Sequence, residues 1–461
     1  MSDSNELTYD VLASAVTGTA AAFRCRRRLQ PGGGAGDKVF PPTFAGAVYA
    51  TEHRRLPGRE EPVPCVLLDS VQSQANRMEL ALQESGLELP LIAVDFSEHG
   101  PSGDVEADAE AGRLVDDIGE ITSLQVPHRL ADAILRDSEL DGVAFRQSER
   151  GRALNTVSPA NATALYQLCP TALVFGMWDS TGPKGGLGPK FERALVSEVV
   201  GIGASYGVRT SSRIDPLITT TRNITLYETP NGGWTLDEAE AKIEKGKPVK
   251  LGKDGKVSEA NLGNVTPSFS KYTKGADGID PLRTGSVSVD YHLHSGPDEF
   301  RVRNSSKADS QPAKEGQVAA GGVTIEYAEQ VTTLSLICLR RLRFPVDGEQ
   351  DSARDNAARA VLTALGLCAA TLAFENGMGL RSRCLLWPEE VMEWELLEKP
   401  GAPPAKFQLT ADAATKLLTD AVAKAAEAGL EWATEKIVLQ PSANLLELVR
   451  RSQLEATKEE S

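Results

Sequence analysis

PCVLLDSVQSQANRMELALQE, residues 64–84, is the stretch that decides the fold of this 461-residue chain. Its first six residues are an apolar run that ends at Asp69, which is the pattern of a buried β-strand. From residue 71 onwards apolar residues recur at helical spacing, which predicts a helix over residues 71–84 with Asp69 or Ser70 as its N-cap. The apolar positions are Val71, Ala75, Met78 and Leu82.

Other segments extend this strand and helix into an α+β fold. Residues 23–29, FRCRRRL, alternate apolar and basic side chains and predict a strand with one wet face. We also predict strands for residues 172–178, 321–327 and 333–343, and helices for residues 191–200, 352–373 and 411–428. The central sheet is expected to contain the strands at residues 321–327 and 333–343.

Charge is distributed unevenly along the chain. The net charge of −15 argues against a nucleic-acid partner, because phosphate binding needs local positive potential. However, residues 95–150 carry 14 acidic and 5 basic side chains, and residues 388–461 carry 14 and 8. These two blocks account for the excess, so a basic groove between acidic outer faces is compatible with the sequence.

Compartment and redox state follow from the N-terminus and the cysteines. The first ten residues are polar and carry no secretion signal, and no apolar stretch reaches the roughly 20 residues that span a bilayer. The six cysteines are scattered without CxxC pairs, mostly in apolar strings. We therefore expect a cytoplasmic protein with reduced core cysteines and no membrane contact.

The loop Gly182–Lys190 is rich in glycine and precedes the predicted helix at residues 191–200. Its backbone N–H groups and the helix N-terminus could hold a phosphate, with Lys184, Lys190 and Arg193 adding charge. It is neither a Walker A motif nor GxGxxG, so no nucleotide cofactor is expected. A plain flexible loop and an RNA-backbone contact remain the two interpretations.

Two further groups of polar residues are candidate RNA contacts. Arg24, Arg26, Arg27 and Arg28 could follow RNA phosphates, or could form a solvated strand edge. The start of the helix at 71–84 concentrates hydrogen-bonding side chains that suit ribose and phosphate, or that form a cap and an exposed face. These are Ser70, Gln72, Ser73, Gln74, Asn76 and Arg77.

Catalytic and metal-binding patterns are weak. His292 and His294 have the spacing of one strand face, but no third ligand lies nearby in the sequence, and exposed strand histidines are the alternative. Asp69 could ligate a metal for RNA cleavage, although capping a helix is its simpler role. No nucleophile elbow is present, and we expect neither a metal nor a cofactor.

Several strings together resemble one family. They are KVFPPTF at residues 38–44, CVLLDSVQSQANR at 65–77, GMWDS at 176–180, NLGNV at 261–265, LRRLRF at 339–344 and LRSRC at 380–384. The chain resembles the backbone subunit of the type I-U (I-G) CRISPR effector, a member of the RAMP superfamily. The matching strings are spread over nearly the whole chain.

The resemblance implies a modified RNA-recognition (ferredoxin-like) palm with a finger-like insertion and a thumb hairpin. It implies several copies along one guide crRNA, pairing of the guide with a target DNA strand, and contacts with the large subunit and the guide-processing subunit of Cascade. The implied domains are palm at 1–94, acidic inserted lobe at 95–150, palm with Gly-rich loop and helix at 151–218, thumb or finger-like insertion at 219–320, palm at 321–399 and a C-terminal helical region at 400–461.

With the resemblance included, we predict a non-catalytic RNA-binding protein. The predicted RNA-binding residues are Arg24, Arg26, Arg27, Arg28, Lys38, Ser70, Gln72, Ser73, Gln74, Asn76, Arg77, Trp178, Lys184, Lys190, Arg193, Arg381 and Arg383. The alternatives are a RAMP-type endoribonuclease that processes CRISPR RNA with His292, His294 or Asp69, and a nucleotide-binding metabolic enzyme that uses residues 182–190.

Overall fold

The structure is a computed structural model that describes residues 6–44, 48–180, 188–207, 209–210, 225–231, 233–250, 288–289, 291–293, 300–302, 311–312, 321–433 and 435–460. The α-helices are α1 (Tyr9–Thr17), α2 (Val71–Glu84), α3 (Val105–Ala111), α4 (Ala133–Arg136), α5 (Glu149–Ala153), α6 (Thr163–Leu168), α7 (Thr171–Phe175), α8 (Leu336–Leu339), α9 (Ser352–Glu375), α10 (Ala411–Glu427) and α11 (Ala443–Glu460).

The strands in the first half of the chain are β1 (Ala22–Pro31), β2 (Thr43–Phe44), β3 (Val48–Tyr49), β4 (Thr51–Arg54), β5 (Val63–Asp69), β6 (Ile92–Asp95), β7 (Glu120–Thr122), β8 (Ser138–Leu140), β9 (Val143–Ala144), β10 (Met177–Trp178), β11 (Lys190–Phe191), β12 (Leu195–Ile202), β13 (Ser205–Tyr206), β14 (Arg209–Thr210) and β15 (Tyr227–Glu228). Those in the second half are β16 (Trp234–Thr235), β17 (Ile243–Glu244), β18 (Lys247–Pro248), β19 (Ser288–Val289), β20 (Tyr291–Leu293), β21 (Phe300–Val302), β22 (Gln311–Pro312), β23 (Val323–Thr324), β24 (Tyr327–Ser335), β25 (Met378–Arg381), β26 (Cys384–Pro388), β27 (Trp394–Leu397), β28 (Ala405–Phe407) and β29 (Ile437–Pro441).

Two compact units are distinguished. Unit 1 comprises Met1–Ala35, Leu68–Ile202 and Tyr327–Gln453, and unit 2 comprises Gly36–Leu67, Gly203–Glu326 and Leu454–Ser461. The mixture of helices and strands agrees with the predicted α+β class. Most of the predicted thumb region, residues 219–320, lies outside the described residues.

The main sheet of unit 1 is antiparallel and runs in the order β25, β26, β1, β24, β12. The alternation predicted for residues 23–29 is present in β1, where Phe23, Cys25 and Leu29 are buried while Arg26 and Arg28 are exposed. β24 alternates in the same way along its whole length. One face of this sheet is therefore buried and mainly apolar, apart from Arg27, Ser197, Gln330 and Thr332, and the other face is more exposed.

Helices cover the apolar face. α9 is buried on nearly all sides, begins at the N-cap Asp351 and ends at Asn376, followed by Gly377. Its Gly366 allows a close approach to the sheet, since a Cβ there would lie 3.1 Å from a methyl group of Leu334. α1, α2 and α10 pack against α9. Among the described residues, α9 alone is long and apolar enough to cross a membrane, but 83% of its apolar window is buried, which is typical of a core helix.

Two of the predicted elements are wrong. Residues 191–200, predicted as a helix, form the end of β11 and most of β12, in which Leu195, Ser197 and Val199 face inward at a spacing of two. Residues 172–178, predicted as a strand, form most of α7 followed by β10. Both segments are short apolar runs, for which periodicity alone does not separate strand from helix. The predicted strand at 333–343 is also interrupted, because β24 ends at Ser335 and α8 follows.

A second sheet of unit 1 has the order β7, β6, β29, β8, β9. Its strands β7, β8 and β9 come from residues 95–150, which the sequence indicated as an acidic inserted lobe. Phe96 and Phe145 of that region lie in the same hydrophobic cluster as α9. Residues 400–461 contribute β28 and β29 in addition to α10 and α11.

Unit 2 contains an antiparallel pairing of β4 with β5, in which Thr51 lies opposite Val66, and of β13 with β23. The Tyr49 hydroxyl accepts a hydrogen bond from the Gly322 N–H at 2.9 Å. Gly322 has a φ of +81°, a backbone conformation that favours glycine.

Candidate nucleic-acid interface

The polar face of β1 presents three of the predicted arginines. Arg24, Arg26 and Arg28 point away from the helices because they occupy alternate positions of one strand. Each forms an ion pair with a glutamate of a neighbouring segment, and the partners are Glu395 at 2.6 Å, Glu329 at 2.5 Å and Glu389 at 3.1 Å. The positive charge of this row is therefore locally balanced.

Aromatic groups lie on the same face. The Arg28 guanidinium carbon lies 4.0 Å from the centroid of the Tyr327 ring, a cation–π distance. Trp387 on β26 lies opposite Gln30 of β1 and is 71% exposed. The face thus combines paired charges with exposed aromatic surface.

The prediction that Arg27 belongs to an RNA-binding row of four arginines is wrong. Its position on β1 points into the core, where the residue is 8% exposed and its guanidinium carbon lies 5.0 Å from the Phe374 ring centroid. Nη1 donates to Gln330 at 3.5 Å, and burial lowers the pKa of Arg27. A side chain in this position is not available to an RNA backbone.

The polar start of α2 divides into an outer and an inner set. Ser70 caps the helix by accepting a hydrogen bond from the Ser73 N–H at 3.2 Å, as one of the two predicted caps. Gln72 and Asn76, one turn apart, are exposed, and Ser73 is half-buried. Gln74 is 3% exposed, so its predicted contact with RNA is corrected.

Gln74 belongs to a buried polar cluster between α2 and the sheet. Its Oε1 accepts hydrogen bonds from Ser197 Oγ at 2.9 Å and from Gln330 Nε2 at 2.8 Å. Ser197 in turn lies 2.8 Å from the Thr332 hydroxyl. These bonds satisfy polar groups that would be costly to bury unpaired. We call Gln74, Ser197, Gln330 and Thr332 the polar seam.

The seam continues to Asp69 at the end of β5. The Gln74 side-chain amide donates to Asp69 Oδ2 at 2.6 Å. Arg77 Nε also donates to Oδ2, at 2.9 Å, and Arg381 Nη2 donates to Oδ1 at 3.2 Å. Asp69 is fully buried, whereas the Arg77 and Arg381 side chains are 35% and 27% exposed. Two predicted RNA-binding arginines are thus brought together by one carboxylate.

The residues flanking the Gly-rich loop form a hairpin. β10 pairs with β11, and Trp178 is 52% exposed with Lys190 Nζ 5.6 Å from its ring centroid. Arg193, two residues after β11, is exposed. Lys184 lies outside the described residues, and the helix N-terminus expected to follow the loop is replaced by β12.

A buried ion pair lies beneath this hairpin. Arg129 donates to both carboxylate oxygens of Glu79, at 2.6 and 2.7 Å, and to the Gly176 carbonyl at 3.0 Å. Burial raises the pKa of Glu79, and the Arg129 charge partly offsets that effect. Gly176 has a φ of +84°, and a Cβ there would lie 3.1 Å from the Phe191 carbonyl oxygen, so glycine is required.

The remaining predicted contacts are separate from these groups. Lys38 belongs to unit 2, where it is half-buried beside Gly207 and Gly322. Arg383 is exposed in the turn between β25 and β26, with a φ of +58°. His294 lies outside the described residues.

Sequence reasoning missed the role of Asp69 as the shared acceptor of two arginines. The eight-residue spacing to Arg77 carried a signal, since the first turns of a helix that follows a strand return close to the strand end. Arg381 is 312 residues away and carried none. The exposed Trp387 was also missed.

Residues 23–206 match the family model described as CRISPR-associated protein GSU0053. Residues 23–206 are thus similar to a CRISPR-associated family. The match confirms the predicted resemblance to a CRISPR-associated family. No curated protein matches the sequence.

The GSU0053 region contains β1, α2, the β10–β11 hairpin and β12. It therefore includes the arginine row, the polar start of α2 and Asp69. Arg381 lies beyond it, although Arg381 completes the cluster around Asp69. The match over residues 23–206 supports a role in CRISPR defence.

Proposed function

We propose that the chain is the non-catalytic crRNA-binding backbone subunit of a type I CRISPR effector of the I-U (I-G) subtype. In this role several copies polymerise along one guide RNA and present it for pairing with target DNA in antiviral defence. The observation that carries the proposal is the family match over residues 23–206, which contains most of the predicted RNA-binding residues.

The order of elements in unit 1 supports a ferredoxin-like palm. β1, α2, β12, β24, α9 and β26 occur in this order along the chain, with other elements between them, as strand, helix, strand, strand, helix, strand. Across the sheet the four strands run β26, β1, β24, β12, and both helices lie on the apolar side. A ferredoxin-like sheet has its fourth strand beside the first and its third strand between the first and second.

The chemistry of the outer residues supports RNA holding without sequence reading. Phosphate and 2′-OH groups are bound by guanidinium, amide and hydroxyl side chains, which impose no base preference. Gln72 and Asn76 on α2 and the partly exposed Arg77 and Arg381 supply such groups. This supports a protein that holds any guide sequence.

The environment of Asp69 supports a non-catalytic role for that residue. Its two oxygens accept three hydrogen bonds from Gln74, Arg77 and Arg381. A buried carboxylate whose oxygens already accept hydrogen bonds from two guanidinium groups and one amide is a poor metal ligand. We propose further copies of the chain, the large subunit and the guide-processing subunit as its partners, in the cytoplasm.

The test is co-expression of the full chain with its CRISPR array and companion subunits, followed by purification through a tag on this chain. We expect one discrete RNA of guide length, identified by gel and sequencing, in a particle with several copies of the chain. Repeat RNA incubated with the chain alone should stay intact. A nucleic-acid-free monomer would contradict the scaffold role, and cleavage lost in Asp69→Asn would favour the endoribonuclease.

A further inference from the structure

The cluster around Asp69 is built so that each arginine is fixed at two points. Arg77 donates to Asp69 and also to the Leu380 carbonyl, next to Arg381. Arg381 donates to Asp69 and also, at 2.6 Å, to the Leu68 carbonyl, next to Asp69. Each guanidinium thus binds the backbone of the segment that carries its partner. Side chains held in this way lose little conformational entropy when they bind a ligand.

The cluster keeps an unbalanced charge. Two guanidinium groups share one carboxylate, so the three side chains carry a net charge of +1. The arginines of the β1 row differ, because Arg24, Arg26 and Arg28 each have a glutamate of their own. A phosphodiester carries one negative charge, which matches the charge of the Asp69 cluster.

Both arginines retain donors for a ligand. The Arg77 and Arg381 side chains are 35% and 27% exposed, while the carboxylate that orients them is fully buried. Arg77 Nη1 makes no hydrogen bond to the described part of the chain, and guanidinium N–H pairs match phosphate oxygens. The exposed Gln72 and Asn76 of α2 lie on the same helix as Arg77.

We infer that Arg77 and Arg381 form one preassembled binding site for a single RNA phosphodiester, and that Asp69 is its positioning residue. This inference rests on the proposed function, which supplies the RNA. Asp69 does not touch the ligand; it fixes the two guanidinium groups, whose side chains remain partly exposed.

The experiment measures binding of a fluorescein-labelled, guide-length single-stranded RNA to the full chain by fluorescence anisotropy between 50 and 500 mM KCl. The variants are R77Q, R381Q, D69N and R381K, with R341Q as the matched control at an exposed arginine that pairs with its own glutamate, Glu192, at 2.9 Å. Thermal unfolding of each variant checks that it is folded.

Loss of one phosphate contact lowers the slope of log affinity against log salt by about 0.7, which is about a fivefold smaller change over this tenfold salt range. We expect that change for R77Q, R381Q and R381K, and none for R341Q. R381K keeps its charge, so its failure to rescue binding separates fixed geometry from charge. D69N raises the net charge by one; charge alone predicts tighter binding, whereas positioning predicts weaker binding.

Slopes for R77Q and R381Q equal to that of R341Q, or tighter binding by folded D69N, would overturn the inference and leave the proposed function standing. Absence of RNA binding by the wild-type chain would overturn it too. Co-purification of guide RNA with the assembled complex then decides separately whether the proposed function also fails.

Discussion

Replacement of Glu79 by glutamine tests the buried ion pair beneath the β10–β11 hairpin. The Glu79 and Arg129 side chains are 3% and 8% exposed and make two hydrogen bonds of 2.6 and 2.7 Å. In Glu79→Gln the side-chain volume stays nearly constant and the carboxylate charge is lost. The Arg129 guanidinium then keeps only the Gly176 carbonyl and the Phe175 ring, whose centroid lies 5.4 Å away.

The cost follows from the desolvated charge that remains. Breaking a buried pair by removing one partner costs about 3–5 kcal/mol, because the other charge stays in a medium of low polarity. Glutamine can still accept one hydrogen bond, so we expect about 3 kcal/mol. With an m-value of about 3 kcal/mol per molar urea, the unfolding midpoint falls by about 1 M.

The assay is urea unfolding of the full chain followed by tryptophan fluorescence. Glu427→Gln is the control, since it breaks the exposed Lys424–Glu427 pair, whose side chains are 51% and 66% exposed. Such a surface pair contributes about 0–1 kcal/mol, so that midpoint should barely move. Equal midpoints for the two variants would refute the reasoning that burial makes the Glu79–Arg129 pair costly to break.

Three further outcomes are expected. Arg27→Met should raise the free energy of unfolding by about 1 kcal/mol and leave RNA retention unchanged, because the buried guanidinium has no carboxylate partner among the described residues; a lower urea midpoint or lost RNA would contradict this. Gly151→Ala should cost about 3 kcal/mol or more, since its Cβ would lie 1.8 Å from a backbone carbonyl oxygen, whereas Gly379→Ala, with open space, should cost under about 1 kcal/mol; similar thermal stabilities would refute it. Glu192→Gln should speed iodoacetamide labelling of Cys338 at pH 8, because burial and, next, the Glu192 charge raise the pKa of that thiol and suppress its thiolate; an unchanged or slower rate would count against it.

Long periodic segments were predictable from the sequence. α2, α9, α10 and β1 lie where their apolar spacing indicates, because each buries one regular face or, for α9, nearly every side. The segment of α7 was predicted as a strand and that of β12 as a helix, because both are short and apolar. Only the pairing of β12 with β24 shows that β12 is a strand.

The candidate site was predictable only in part. Three consecutive arginines on a strand must alternate between its faces, so Arg27 could have been assigned to the core from the same pattern that predicted β1. The convergence of Arg77 and Arg381 on Asp69 could not have been predicted in this way, because it brings together segments about 300 residues apart in the chain. Lys184 lies outside the described residues, so its contact with RNA stays a prediction.

The polar seam fixes the rotation of α2 about its own axis. An apolar helix–sheet contact tolerates small rotations, but Gln74 bonds Ser197 and Gln330 at once, and its other end bonds Asp69. A rotation would leave buried donors and acceptors unpaired at about 1–3 kcal/mol each. The outward side chains of α2 therefore keep one bearing relative to the sheet. A ligand that binds along α2 would therefore contact the same outward side chains, in the same orientation, in every copy of the chain.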